Sequence, residues 1–396
     1  MTVLPAVFRK RNRTKKQKGK GKDSMEKHMR FCVPCLLGVE GLLAEELRDM
    51  GCLDVAAENG RVLFSGDESA LARANLNCRY GERVMILLGE FPATSFEELF
   101  QGVKSLPWEE YIQKEDEFPV TGSSLSSKLH SVPDCQSIVK KAVVERLKEK
   151  YHISWFEETG PAHRIRFRIL KDQVSILLDT SGAGLHKRGY RRESTEAPIK
   201  ETLAAALVKL ARVRPDGNFI DPFCGSGTLL IEAALLATNT APGLHRRFNA
   251  EEWRDSRKEV WESERQRAKE MICRKGFHAA GFDIDPAAVA LTLENAKKAG
   301  VGDLIRAEQR NIRNFTSDDR YGCVVCNPPY GERLLDHREA QEIYQVLGQV
   351  FQRKPGWSYG IITPDEDFES LFGRKADKRR KLYNGMIKCR FYQYFK

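Results

Sequence analysis

Asn327-Pro-Pro-Tyr330 follows the apolar run Val324-Val-Cys326 and offers an unusual set of hydrogen-bond acceptors. The Asn327 amide oxygen and the Pro328 carbonyl could together accept both hydrogens of an amine carried on an aromatic ring. Such an amine is a poor nucleophile, because its lone pair is delocalised into the ring. Aimed acceptors favour a more nucleophilic nitrogen, and no strong base is required; positioning and hydrogen bonding carry the step. Pro328 and Pro329 restrict the backbone here, and Tyr330 supplies a ring on which a base can stack. Taken alone, the tetrapeptide is equally well read as a Pro-Pro turn after a strand.

A second constellation is Asp221-Pro-Phe-Cys-Gly-Ser-Gly-Thr228, between a short apolar strand and the helical pattern Leu229–Leu236. Gly225 and Gly227 allow the backbone to approach a ligand closely. Asp221 can pair with an ammonium group or accept a hydroxyl proton. A dinucleotide fingerprint would need a third glycine at position 230, which is Leu, and an acid about 20 residues on; Asp283 is much farther. A phosphate loop would need Gly-Lys-Ser/Thr before the helix, which is absent. A third constellation, Gly281-Phe-Asp283-Ile-Asp285-Pro286, again sets an acid at a strand end, with Asp285 able to cap the following helix. A fourth is Gln309-Arg-Asn311-Ile-Arg313. The strand–acid order of these motifs, with Asn327–Tyr330 downstream, makes the plain structural reading hard to sustain.

Elements that could position these residues follow from periodicity. From Pro198 onward helical patterns alternate with short apolar strands, the sign of a parallel α/β sheet. Helices are expected at Lys200–Arg212, Pro286–Ala299 and Ala340–Phe351. Strands are expected ending at Ile220 and over Ala279–Asp283, Ile305–Glu308, Gly322–Cys326 and Tyr359–Thr363, with two more flanking Asn384-Gly385. The segment Asn239–Gly276 is an insertion in that alternation, read as a solvated helix, although Arg246, Arg247, Arg254 and Arg257 could touch nucleic acid.

The first half is α+β. One unit runs over residues 30–90, with strands Phe31–Leu37, Arg61–Ser65 and Arg83–Glu90 and helices Gly38–Met50 and 67–80. A second runs over 91–190, with helices Ser95–Val103 and Ser137–Lys150, a strand near Phe118, a Ser-rich loop at Thr121–Lys128, and strands His163–Leu170 and Gln173–Asp179. Alternation in His163–Arg168 turns Arg164, Arg166 and Arg168 to one face, which is either an ordinary exposed sheet face or a phosphate-contacting one. A basic connector, Thr180–Arg192, precedes the α/β region at 191–396.

The net charge of +10 is concentrated. Residues 1–30 hold eleven Lys and Arg against two acids, so 11 − 2 = +9 of it lies there. A Gly- and Lys-rich run of one sign over 1–29 is expected to be disordered. It would add salt-sensitive affinity for phosphates, or else be a solvated extension ahead of a start at Met25 or Met29. The ten cysteines are expected to be free thiols in a reducing cytoplasm. A zinc site from Cys32/Cys35 and Cys323/Cys326 is disfavoured, because the second pair sits in an apolar strand and no His lies at finger spacing. No metal and no membrane are expected.

Asp179-Thr-Ser-Gly182, Leu185-His-Lys-Arg-Gly-Tyr-Arg191, Asp221–Thr228 and Asn327–Leu334 together resemble the THUMP-domain RNA methyltransferases, particularly the guanine-N2 enzymes of large-subunit ribosomal RNA. The resemblance covers about residues 30–396. It implies a ferredoxin-like subdomain and a THUMP domain that bind RNA, followed by a Rossmann-like class I methyltransferase domain that uses S-adenosyl-L-methionine. The implied cofactor residues are Thr202, Asp221, Pro222, Phe223, Cys224, Gly225, Gly227, Thr228, Asp283, Ile284, Asn311, Ile312 and Asn327. In them Asp283 meets the ribose hydroxyls and Ala197–Thr202 lies beside the amino-acid part. Asn311 departs from the family, which usually has Asp there to meet the adenine amine. The implied catalytic residues are Asn327, Pro328, Pro329 and Tyr330. RNA contacts are expected from Arg164, Arg166, Arg168, His186, Lys187, Arg188 and Arg191. The partner implied is structured RNA, 23S ribosomal RNA or its precursor. The same reaction on transfer RNA, and a non-catalytic RNA-binding or ribosome-assembly role, stand as the alternatives. A base buried in a helix must leave its stack to be modified, so flipping or a loop substrate is implied.

Overall fold

The computed structural model describes residues 28–191, 199–317, 319–330, 337–351 and 355–395. The basic tail up to residue 27, Arg192 of the connector, residues 197–198 of Ala197–Thr202 and the 331–334 end of the Asn327–Leu334 motif lie outside them.

The first half contributes β1 (Met29–Pro34), α1 (Glu40–Asp49), β2 (Leu53–Glu58), β3 (Arg61–Gly66), α2 (Glu68–Asn77), β4 (Met85–Pro92), α3 (Phe96–Lys104), β5 (Val120–Leu125), α4 (Val132–Tyr151), β6 (Ile165–Leu170) and β7 (Gln173–Asp179). All seven strands join one sheet, in the order β2-β3-β1-β4-β7-β6-β5. The two expected α+β units therefore share a sheet. Strand β4 bridges them, pairing with β1 through Cys32↔Met85 and with β7 from Met85↔Asp179 to Pro92↔Gln173. Alternation places Phe31 and Val33 in the main core, while Cys32 packs with Met85, Leu87 and Leu177 on the other face.

Two local readings change. Thr121–Leu125, expected within a loop, belongs to β5, which pairs in parallel with β6. Its Ser-rich composition suits an edge strand with one exposed side, and Gly122 leaves room for the Phe167 ring, 2.4 Å from where a Cβ would stand. Helix α4 begins at Val132, five residues before Ser137, with Pro133 in its first turn, a position where the missing proline N–H costs nothing.

The second half contributes α5 (Glu201–Leu210), β8 (Asn218–Asp221), α6 (Thr228–Ala237), α7 (Lys258–Glu270), β9 (His278–Asp283), α8 (Pro286–Lys298), β10 (Ile305–Gln309), β11 (Gly322–Cys326), α9 (His337–Val350), β12 (Trp357–Thr363), α10 (Phe368–Phe372), β13 (Lys378–Asn384) and β14 (Ile387–Tyr394). The sheet order is β10-β9-β8-β11-β12-β14-β13. Strands β8 to β12 are parallel and β14 is antiparallel to β12. Strand order reverses between β8 and β11, and ligands of open α/β sheets bind outside the carboxyl ends of the strands at such a point. Among the described residues no group of His, Cys, Asp and Glu is placed to hold a metal ion, and no helix is long and apolar enough to cross a membrane.

The insertion is not a solvated helix. Helix α7 packs on α2 of the first half, and Glu264 accepts two hydrogen bonds from the Arg73 guanidinium at 2.6 and 3.0 Å. Arg257 pairs with Glu68 at 2.6 Å, Arg254 with Glu115 at 2.7 Å, and Trp253 stacks on His163 with centroids 4.6 Å apart. Arg246 donates to the carbonyls of Ala183, Gly184 and Lys187. Three of the four arginines expected as candidate nucleic-acid contacts are thus engaged in docking the two halves; the fourth, Arg247, is exposed. Removing one partner of a sequestered ion pair strands the other. Glu264→Ala should cost about 2 kcal/mol and lower the melting temperature by several degrees in calorimetry. An unchanged melting temperature would show that α7 does not fasten the halves.

Candidate active site

Four strand ends lie side by side. The register sets Asp221 beside Gly281 and Gln309 beside Asp283, and Val324 pairs with Ile220 one residue below Asp221. Asp221, Asp283, Gln309 and Cys326 therefore end β8, β9, β10 and β11 at one edge, and Asn327 follows directly. Adjacent strands are about 4.8 Å apart, so residues distant in sequence meet within a few ångströms.

The loop after β8 is shaped by backbone constraints. Gly225 and Gly227 both have positive φ, +51° and +81°. At Gly227 a Cβ would also stand 2.9 Å from the Thr292 methyl and 3.2 Å from its Cα, so the loop closes against α8 only with glycine there. Thr292 donates to the Gly225 carbonyl at 2.8 Å and Asn295 to the Ser226 carbonyl at 3.0 Å. Asp283 accepts from the Gly225 N–H at 2.9 Å and from the Asp285 N–H at 3.0 Å. Asp285 in turn caps α8 through Ala287 N–H. The Cys224 N–H donates to the Phe282 carbonyl, the Cys224 side chain is buried, and Phe223 packs on the core beneath β11 and β12.

Asp221 is 1% exposed and accepts the Phe223 N–H at 3.1 Å. Among the described residues it has no cationic partner. Burial pushes its carboxyl up to about 8, with the Phe223 N–H opposing the rise and Asp283 adding to it. Asn327 presents a second unsatisfied group: its Oδ1 is buried, and nothing among the described residues donates to it. An unpaired buried acceptor carries a desolvation cost, which a ligand with N–H groups relieves. Pro328 is buried, Pro329 half-buried, and the Tyr330 hydroxyl accepts from Asn384 at 2.9 Å, fixing the ring from the turn between β13 and β14.

Beside Asp283, Ile284 is 67% exposed, an apolar surface next to a carboxylate. Ile312 is buried. Asn311 is exposed, and its carbonyl oxygen accepts from Arg313 N–H at 2.9 Å, capping a short turn. One lone pair remains for a ligand.

The connector changes role. Arg188 is 5% exposed; it faces Glu232 of α6 at 3.3 and 3.4 Å and donates to the Leu185 and Arg79 carbonyls. The Tyr190 hydroxyl reaches the same Glu232 at 3.1 Å. Arg191 pairs with Glu201 at 3.0 Å and donates to the Thr228 hydroxyl and the Ile199 carbonyl. In this arrangement neither arginine is available to phosphate: both hold the loop and α6 from behind. Arg166 pairs with buried Asp179 at 3.0 Å, and Asp179 also binds the Ser181 and Gly182 N–H groups. Arg164 and Lys187 are exposed, and Arg168 is half-buried.

Sequence reading missed Glu82. It accepts from the Thr202 hydroxyl at 2.8 Å and lies 3.2 Å from His186 Nδ1 and 3.4 Å from Lys200 Nζ. Burial would raise its carboxyl, but hydrogen bonds from His186 and Thr202, with the Lys200 charge, hold it at about 2. Thr202, expected beside the cofactor, is thus bonded to the N-terminal half. No local signal marks Glu82, because its partners lie more than 100 residues away.

Fold and site define a class I S-adenosylmethionine-dependent methyltransferase. The cofactor supplies an electrophilic methyl on a positively charged sulfur. The residues fit it: a buried carboxylate without a counter-cation, a glycine loop open to close approach, and a second strand-end acid beside an exposed apolar side chain. Three family models match the chain: the RlmL ferredoxin-like domain over residues 30–85, the THUMP domain over 93–179, and the RMKL-like methyltransferase domain over 188–393. A Bacillus subtilis protein, YpsC, provisionally designated an RNA methyltransferase, is 46% identical over 91% of this chain and 94% of its own. The ribosomal RNA large subunit methyltransferase K/L of Syntrophotalea carbinolica is 34% identical over 92% of this chain, which spans 53% of that longer protein. The crystal structure of SMU.472, provisionally designated a methyltransferase and complexed with SAH, superposes with a TM-score of 0.88 at 42% identity, covering 94% of this chain and 99% of that one. The chain belongs to the family of RMKL-like methyltransferases that carry a THUMP domain.

An unfolded aspartate titrates near 3.9 and folded Asp221 near 8. Between those values only the folded state holds the proton, so this group's contribution to stability falls as pH rises. Cofactor-free protein should lose stability relative to Asp221→Asn between pH 5 and 8 in thermal melts. Parallel curves would contradict the assignment. The same variant should bind the cofactor at least about tenfold more weakly.

Proposed function

We propose that this protein transfers a methyl group to the exocyclic N2 of a guanine in large-subunit ribosomal RNA. The observation that supports this most is the buried, unpartnered Asn327 Oδ1 at the end of β11, next to the loop that begins at Asp221. An amide oxygen there accepts one amine hydrogen and the Pro328 carbonyl the other, leaving the nitrogen lone pair directed at the methyl donor. Tyr330, braced by Asn384, stacks on the base. Asp221 and Asp283 bind the ammonium and ribose of the cofactor, Ile284 and Ile312 flank its adenine, and Asn311 accepts from the adenine amine. The base reaches this pocket flipped or from a loop.

The THUMP match and the K/L relative support RNA, and large-subunit RNA in particular, as substrate. Exposed Arg164 and Lys187 and half-buried Arg168 remain as phosphate contacts in the N-terminal half. The chemistry of the pocket applies equally to guanine N2 in transfer RNA, which is the second reading.

Labelled S-adenosylmethionine, supplied with separated ribosomal and transfer RNA from a strain lacking the gene, should yield N2-methylguanosine in the large-subunit fraction by nucleoside mass spectrometry. The same nucleoside only in transfer RNA would replace the substrate and keep the chemistry. N6-methyladenosine as the sole product would overturn the base assignment.

A further inference from the structure

Asn384 is the last residue of β13, where a hairpin turn begins. Gly385, at φ +64°, makes the turn, and Asn384 pairs with Ile387 across it. An asparagine in a turn ordinarily bonds backbone groups one or two residues away. Here the side chain instead reaches 54 positions back in the chain and donates from Nδ2 to the Tyr330 hydroxyl at 2.9 Å. The hairpin is held in place for that contact. Alternation along β13 puts Asn384 on the same face as Leu382, which lies opposite Cys389, and both of those are buried in the main core. The N-terminal half closes on the strand there. A Cβ at Gly38, where φ is +93°, would stand 3.0 Å from the Lys381 carbonyl oxygen and 3.2 Å from Leu382 Cδ2. On its other side β14 is paired to β12 from Tyr359↔Tyr394 to Thr363↔Arg390.

The bond to Tyr330 also sets the direction of the rest of the amide. With Nδ2 committed to the phenol, Oδ1 lies beside the hydroxyl end of the ring, and none of the described residues donates to it. Asn384 is half-buried, and an amide oxygen has two lone pairs to offer. A base stacked on Tyr330 carries its edge past that end of the ring, within reach of a group already bonded to the phenolic oxygen.

Guanine and adenine differ at that edge. The guanine amine, on C2, has the ring N1–H beside it, which is a donor. The adenine amine, on C6, is flanked by N1 and N7, both acceptors. Guanine therefore needs an acceptor beyond the two that meet its amine, because a donor withdrawn from water without a partner is costly.

We propose that Asn384 reads the base: its amide oxygen accepts from guanine N1–H while its nitrogen holds Tyr330. An adenine seated with its amine in the same place turns ring N1, an acceptor, towards this acceptor, so the contact rejects adenine as well as favouring guanine. The inference deepens the reading of guanine N2 as the target and rests on it.

2-Aminopurine keeps the C2 amine of guanine but lacks N1–H. Large-subunit RNA ligated to carry either base at the modified position, assayed by single-turnover methyl transfer, isolates the contact. The unsubstituted protein should methylate the guanine RNA at least about tenfold faster. Asn384→Ala should slow both RNAs, through loss of the brace on Tyr330, and should lower the guanine-to-aminopurine rate ratio by about tenfold. Asn384→Asp keeps an acceptor oxygen and should keep most of the ratio. A structural role alone slows both RNAs alike, so an unchanged ratio in Asn384→Ala overturns the proposal and leaves Asn384 as a brace. Equal rates on the two RNAs with the unsubstituted protein overturn it without any variant. Failure of the unsubstituted protein to methylate the guanine RNA at N2 removes the reading on which this role rests, and the role with it.

Discussion

Two buried polar groups without full compensation among the described residues govern this protein: the Asp221 carboxyl, which has one N–H donor and no cation, and the Asn327 amide oxygen, which has no donor. Neither is where a folding chain would put a polar atom for stability alone, since each is withdrawn from water without full compensation. They are held there because β8 and β11 are neighbours at the point where the strand order reverses. Phe219 and Ile220 of β8 and Cys323–Cys326 of β11 are apolar and buried. The polar groups come at the last residue of β8 and the first residue after β11, where the sheet ends and a ligand can enter. In the proposed reaction the ammonium of the cofactor relieves the first group and the substrate amine the second. The site thus stores its specificity as unmet hydrogen bonds.

Everything around these groups limits how far they can relax. The glycine loop is pinned to α8 by Thr292 and Asn295, and to β9 by Asp283. Arg188, Tyr190 and Glu232 hold α6 from the connector side. Such a buried ion pair is weak evidence for net stability; its geometric effect is to join the connector to the helix that follows the cofactor loop. Glu82 extends the same join to Thr202 and Lys200, and α7 adds a second fastening through Arg73 and Glu264. The N-terminal half and the methyltransferase half are therefore docked at two places.

The catalytic domain was largely legible in the sequence. Parallel strands buried on both faces read as apolar runs, and the residues that matter occur within a few positions of each run's end. Gly322–Cys326 and the hairpin at Asn384-Gly385 follow directly from such patterns. Long-range polar pairing was not legible. Arg188 and Arg191 look like phosphate ligands in a basic connector, yet Glu232 and Glu201 claim them from elsewhere in the chain. The charges of Glu264 in α7 and Arg257 just before it read as a solvated face because their partners, Arg73 and Glu68, lie 191 and 189 residues upstream. Strand β5 was hidden because an edge strand tolerates serine and glycine, and β4 concealed the joining of two subdomains into one sheet.

The proposed chemistry depends on the Asn327 amide oxygen accepting from the substrate amine. Asn327→Ala, assayed beside the unsubstituted protein for single-turnover methyl transfer and for cofactor binding by calorimetry, tests it most directly. Loss of one aimed hydrogen-bond partner should remove about 3 kcal/mol of transition-state stabilisation, on the order of a hundredfold in rate, with cofactor affinity within about twofold of the original. A variant that transfers methyl at the original rate would exclude that role for Asn327.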